Sequence, residues 1–201
     1  MNKMDIRQKI ESLLQLSGRE GMNDLLETME EMGFYESPCS TQYHLAHAGG
    51  LAEHSLNVYE IMKSLAELLY PELPYSSVII CSLLHDLGKA GQFGKPGYVP
   101  NYTKGRATKA NPNPEPVRSA AKPYVSNPDL LCLDHEVRSI QIAGRYIELT
   151  EEENWAILMH NGMYGTYKYQ IQGKETPLYL LLHMADLWAS RVVEKEASAD
   201  E

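Results

Sequence analysis

Apolar residues return every three or four positions along most of this chain, the spacing of amphipathic helices rather than of strands. Over residues 4–17, Met4, Ile6, Ile10, Leu13 and Leu14 stand between polar neighbours, and Gly18 offers a stop. Met22, Leu25, Leu26, Met29 and Met32 repeat the pattern up to Gly33. The segment "YESPCST" reads as a loop. Leu51 to Leu69 predicts a third helix, stopped before Pro71, with Leu51, His54, Val58, Ile61 and Leu65 on its inward stripe. Residues 75–87, "YSSVIICSLLHDL", are apolar nearly all round and close at Gly88, which predicts a central buried helix. Helical spacing resumes over 135–148 and over 151–161, where Thr150 and Glu153 form a capping-box signature. A last helix is expected over 177–195, with Pro177 in its first turn. The stretch "GTYKYQIQG" at 165–173 reads as a short hairpin.

Between the fourth and fifth helices the composition changes. Residues 91–129 hold seven of the 11 prolines and almost no apolar period. A structureless run of that length inside a compact domain is usually a functional lid or a disordered segment. The expected architecture is therefore all-α, a helical bundle carrying a long Pro-rich insert or short hairpin.

The chain has 201 residues and a formal net charge of -9. That length suits one domain, or one domain with a small N-terminal appendage, and the charge argues against general binding to duplex DNA or an anionic membrane. No run approaches the ~20 apolar residues that span a bilayer. The N-terminal "MNKMDIRQKIESLLQ" lacks a signal-peptide core, which predicts a cytoplasmic protein. Cys39, Cys81 and Cys132 are scattered and odd in number, as expected of small buried side chains in a reducing compartment. Locally the balance reverses. Lys95, Lys104, Arg106, Lys109, Arg118 and Lys122 face one acid, Glu115, before Asp129, so the insert is basic and suits an anionic substrate nearby.

One histidine on an apolar helix face is more often a satisfied core residue than a ligand. Here the event recurs at His54, His85, His135 and His160. The acids are more telling. Asp86 lies within "SLLHDLG" and Asp186 within "LLLHMADLWASR", both in apolar helical patterns. A buried carboxylate costs several kcal/mol unless it meets a cation. A metal ion answers for both acids and the histidines together. Nitrogen and carboxylate ligands suit Mn, Fe, Ni, Co or Zn better than Mg or Ca.

The order H…HD…D, read as His54 in "GGLAEHSLNVYE", His85-Asp86 in "LLHDLGKAG" and Asp186 in "LLLHMADLWASR", resembles the HD-domain superfamily of metal-dependent phosphohydrolases. The resemblance covers about residues 40–195 and looks closest to small bacterial and phage HD hydrolases and to the HD domain of a bacterial 3′-to-5′ exoribonuclease family. It implies an N-terminal helical segment over 1–36 packed on the core, an HD domain over 37–196 and a tail over 197–201. It also implies a dinuclear site of divalent transition metals held by His54, His85, Asp86, His135, His160 and Asp186, with Asp86 bridging. The relatives often carry Gly-His-Gly-Glu where this chain has "LDHEV". Asp86 and Lys89 of "HDLGK" would be catalytic, and His44 and Lys89 would contact substrate; Arg191, one turn beyond Asp186 on the same helix, is a further candidate for binding substrate. The implied activity is hydrolysis of a phosphoester in a nucleotide or related small anion by a metal-activated water. Two alternatives share the ligand set: a di-iron oxygenase, and a catalytically silent nucleotide-sensing module. Lys89 and the basic insert favour the phosphate.

Overall fold

The computed structural model describes residues 3–109 and 111–195; the expected tail at 197–201 and the side chain of Met4 lie outside them. The chain is mostly helical, with α1 (Lys3–Leu16), α2 (Met22–Glu31), α3 (Gly50–Leu69), α4 (Tyr75–Leu84), α5 (His135–Ala143), α6 (Glu151–Met159), α7 (Lys168–Ile171) and α8 (Pro177–Trp188). Strands among the described residues are confined to the insert. There β1 (Gly91–Gln92) pairs with β2 (Lys95–Pro96), β3 (Tyr98–Pro100) with β6 (Tyr124–Ser126), and β4 (Tyr102–Thr103) with β5 (Val117–Arg118), all antiparallel. The β3–β6 register sets Tyr98 opposite Ser126 and Pro100 opposite Tyr124. Part of the insert is thus a folded ribbon.

Helices α3 and α4 serve two cores. On one side Ile10, Leu14, Leu25 and Met29 of the first two helices pack with Leu51, Ile80 and Leu83. On the other, Val58, Met62 and Cys81 pack with Ala156, Ile157, Leu178 and Leu182. Every α4 residue from Ser77 to Leu84 is buried, as its continuous apolar run predicts. Each fully buried aliphatic side chain contributes roughly 1.5–3 kcal/mol, so these layers hold the bundle together. A polar tie adds to them. Glu153, fully buried, accepts from Ser77 at 2.7 Å and from Arg19 at 2.5 Å, joining the α1–α2 connection to α4 and α6. The same residue completes the capping box with Thr150.

Three expectations are corrected. The 165–173 segment is not a hairpin: Ile171 is buried and Tyr167 packs against the second core, a helical i, i+4 spacing that α7 satisfies in one turn. The fourth helix ends at Leu84 instead of running through residue 87, and a 3-10 turn, Leu87–Ala90, follows. The last helix is regular only to Trp188 and then widens into a π turn, Ala189–Val193. The last two departures both occur beside a side chain of the candidate site.

Candidate metal centre

Asp86 leaves the α4 helix at φ -103° and ψ 7°, between Leu84 and the 3-10 turn. That break lets two consecutive residues, His85 and Asp86, serve one site. Gly88 then makes room for α5. A Cβ on Gly88 would stand 2.2 Å from the His135 carbonyl oxygen and 2.6 Å from the Arg138 Cβ. Ser139 staples the contact, accepting from the Gly88 N–H at 2.8 Å and donating to His135 O at 2.9 Å. His135, the first residue of α5, is thereby set against Asp86.

Six side chains from α3, the α4 end, α5, the α6 end and α8 converge. His135 Nε2 lies 3.0 Å from Asp86 Oδ1, and His160 Nε2 lies 3.5 Å from it. His54 Nε2 and His85 Nε2 each lie 3.5 Å from Asp86 Oδ2. Asp186 Oδ1 closes the group at 3.2 Å from His54 Nε2. Ligand atoms of His85, Asp86 and His160 all lie within 4.8 Å of one another, as do those of His54, His85 and Asp186.

The far nitrogen of each ring is already engaged. His85 Nδ1 donates to Ser82 O at 2.9 Å, and His160 Nδ1 donates to Ile157 O at 2.7 Å. His54 Nδ1 meets both oxygens of Glu194 at 3.0 Å, and His135 Nδ1 lies 3.1 Å from Glu136 Oε2. A proton held at Nδ1 leaves the lone pair at Nε2, the nitrogen facing Asp86. His54 Nε2, His85 Nε2 and Asp86 Oδ1 are buried without any hydrogen-bond partner in the protein. Polar atoms in that position are costly unless something else binds them. Nitrogen and carboxylate donors, pre-oriented and unpartnered, fit a divalent transition metal.

The titrating groups of the cluster are tightly coupled: against the cost of burial, neighbouring acidic groups raise His54 and His160. Burial would raise the Asp86 carboxyl, yet Lys89 and the imidazoles of His85 and His135 outweigh it and hold the group well below the usual carboxylate range. Asp186 is likewise depressed, its burial overcome by the adjacent His54 imidazole and by His85 and His160. Burial pushes His85 down to about 3, which keeps it neutral and able to act as a ligand. The Lys89 ammonium sits 2.5 Å from Asp86 Oδ2.

His135, at 27% side-chain exposure, and Asp186, at 19%, are the open members of the group. His135 and Lys89 also line a cavity of about 540 Å³ between the insert and the start of α5. Its walls include Tyr98, Ser126, Leu131 and Cys132. These walls are built, not loose. Asn127 donates to Pro96 O at 2.9 Å, and Arg138 donates to Gln92 Oε1 at 2.8 Å and to the Leu131 carbonyl. The six basic side chains of the insert are exposed and none lines this cavity. The insert reaches the site through Tyr98 and Ser126 instead. Cys132 is exposed, unlike buried Cys39 and Cys81, which corrects the expectation of three buried thiols.

The His44 ring stands 5.2 Å from that of His54, and Cys39, His44 and His54 form a further group of possible ligands within 4.8 Å of one another. His44 packs near Cys39, 3.4 Å away, and lies 3.9 Å from Glu194 Oε2. Arg191 is exposed and lies over the Tyr164 ring at 5.8 Å. His183 braces the centre from outside, donating from Nδ1 to His160 O at 2.7 Å. Glu194 was not among the expected site residues. Helical spacing from Asp186 does not point to it, because the π turn intervenes.

Comparison with known proteins gives one limited likeness. Over 59 residues the chain is 42% identical to the 3′-5′ exoribonuclease YhaM of Shouchella clausii (strain KSM-K16). The matched part is 29% of this chain and 18% of that protein. No family model matches, and no solved structure matches. No helix among the described residues is long and apolar enough to cross a membrane.

Proposed function

We propose that this chain is an HD-domain metal-dependent hydrolase that cleaves a phosphoester in a nucleotide or a related small anion. The observation that carries the reading is the convergence of four Nε2 atoms on Asp86 while each Nδ1 faces a partner, with His54 Nε2, His85 Nε2 and Asp86 Oδ1 unpartnered. His54, His85, Asp86, His135, His160 and Asp186 would hold the metal, with Asp86 central to the set. A bound divalent ion would supply Lewis-acid activation of water and neutralise charge at phosphorus. Lys89, at the junction of cavity and centre, would turn from Asp86 towards a non-bridging phosphoryl oxygen. Asp86 Oδ2, released from Lys89, is then available to accept a proton. The cavity, walled by Tyr98 and Leu131, would seat the organic part of the substrate. The partial likeness to an exoribonuclease supports the nucleotide character. Lys89 suits a phosphate better than the neutral substrate of an oxygenase.

The test is elemental analysis of protein purified without a metal-affinity tag, beside Asp86→Ala and His135→Ala. It is followed by assays on bis-p-nitrophenyl phosphate and mononucleotides under Mn, Fe, Co, Ni and Zn. About two equivalents of metal, reduced in both variants, with hydrolysis lost in Asp86→Ala, is the expected result. Absence of metal under every loading condition would overturn the reading.

A further inference from the structure

The π turn after α8 does something that an uninterrupted helix would not. Glu194 lies eight positions beyond Asp186. At about 100° per residue, a regular helix would swing it roughly 80° off the Asp186 face. The π turn closes through the Glu194 N–H donating to Ala189 O at 2.9 Å, a five-residue span in which each residue turns less. That deficit in rotation brings Glu194 back toward the side that Asp186 occupies. Its side chain is 1% exposed, and both oxygens lie 3.0 Å from His54 Nδ1. Asn57, one turn along α3 from His54, donates to Glu194 Oε1 at 2.9 Å and fixes the carboxylate plane. Asp186 lies against the opposite nitrogen of the same ring, 3.2 Å from Nε2.

We infer that Glu194 is a positioning residue: it locks a proton on His54 Nδ1 and so presents Nε2 as a metal ligand of fixed orientation. The inference rests on the proposed metal centre. Glu194 itself lies on the ring edge away from Asp86 and acts only through His54. A carboxylate bound to the outer nitrogen also raises the basicity of the ligating one, and loss of such partners lowers metal affinity by about 10–100-fold. The π turn is then the device that delivers the acid, in keeping with the frequency of such turns at functional sites.

Three variants test this: Glu194→Ala, Glu194→Gln and Asn57→Ala, with exposed Glu67→Gln at the far end of α3 as control. Mn and Zn affinities are measured by competition with a chromogenic chelator, and thermal stability is measured on the metal-free proteins. In the metal-free wild type, NMR should also show a slowly exchanging His54 Nδ1–H. The expected result is a 10–100-fold loss of affinity in Glu194→Ala and smaller losses in Glu194→Gln and Asn57→Ala, with no change in the control. The NMR signal should vanish in Glu194→Ala. A fall in stability with metal affinity unchanged would reduce Glu194 to a core residue and overturn the inference. An Nδ1–H signal that survives in Glu194→Ala would overturn it as well. A wild type that binds neither metal sinks the parent reading, and the NMR comparison still decides whether Glu194 sets the proton on His54.

Discussion

Asp86 and Asp186 were legible as residues because burial forces a choice on a carboxylate. In an apolar helical pattern an acid calls for a cation, a need that Lys89 meets at one oxygen of Asp86. The histidines became legible only together with them. Glu194 stayed hidden because its role depends on a five-residue turn, and no side-chain period encodes one. His44 was drawn from resemblance and Arg191 from its place one turn beyond Asp186; the structure sets His44 beside Cys39 and His54, and Arg191 over Tyr164. Thiol chemistry gives a test at this scale. Burial pushes the Cys39 thiol up to about 11 and raises Cys81 as well, whereas Cys132 is exposed on the cavity wall. At pH 8 the native protein should release one equivalent of thionitrobenzoate promptly from a disulfide reagent, and all three cysteines should react in denaturant. Two fast thiols in the native state would contradict the placement of Cys39 and Cys81. A mononucleotide added with metal should slow labelling of Cys132, since it lines the proposed substrate cavity.

At the scale of elements, the helices were readable from periodicity and caps, and their ends were less so. Thr150 and Glu153 marked the start of α6 from sequence alone, and both halves of the box form. Thr150→Ala should cost about 1 kcal/mol, read as a fall in Tm of about 2–4 °C for a chain of this size. The end of α4 was misjudged by three residues because "LLHDL" continues the apolar run, while packing demands a break there. Gly88 carries the reason. Its missing side chain lets α5 approach the 3-10 turn, so Gly88→Ala must push His135 away from Asp86. Overpacking of this kind costs about 1–3 kcal/mol. Metal affinity should fall with stability in Gly88→Ala and stay unchanged in Thr150→Ala. Equal metal affinity in both variants would show that the α5 contact is not what places His135. The insert was the least legible element, since its two- and three-residue strands are too short for alternation to register.

For the molecule as a whole, the first two helices are part of one core with α3 and α4. Deleting residues 1–36 uncovers Leu51, Ile80 and Leu83 and removes Arg19 from buried Glu153. The truncated chain should lose its cooperative thermal transition by circular dichroism; a sharp melt within a few degrees of the full chain would show that the segment is dispensable. Metal binding should stabilise the native state in proportion to its concentration, by about 2.7 kcal/mol at one hundred times Kd, so a chelator should lower Tm. The proposed ligands are also far apart along the chain, from residue 54 to residue 186. During synthesis at roughly 5–20 residues per second, about 7–26 seconds pass between the emergence of the first and the last. Throughout that interval a nascent chain offers scattered imidazoles, any of which can catch a passing ion only loosely. On the proposed site, selective uptake would wait for the last acid to arrive, which would make the choice of metal a property of the finished fold and of the ions at hand when it closes.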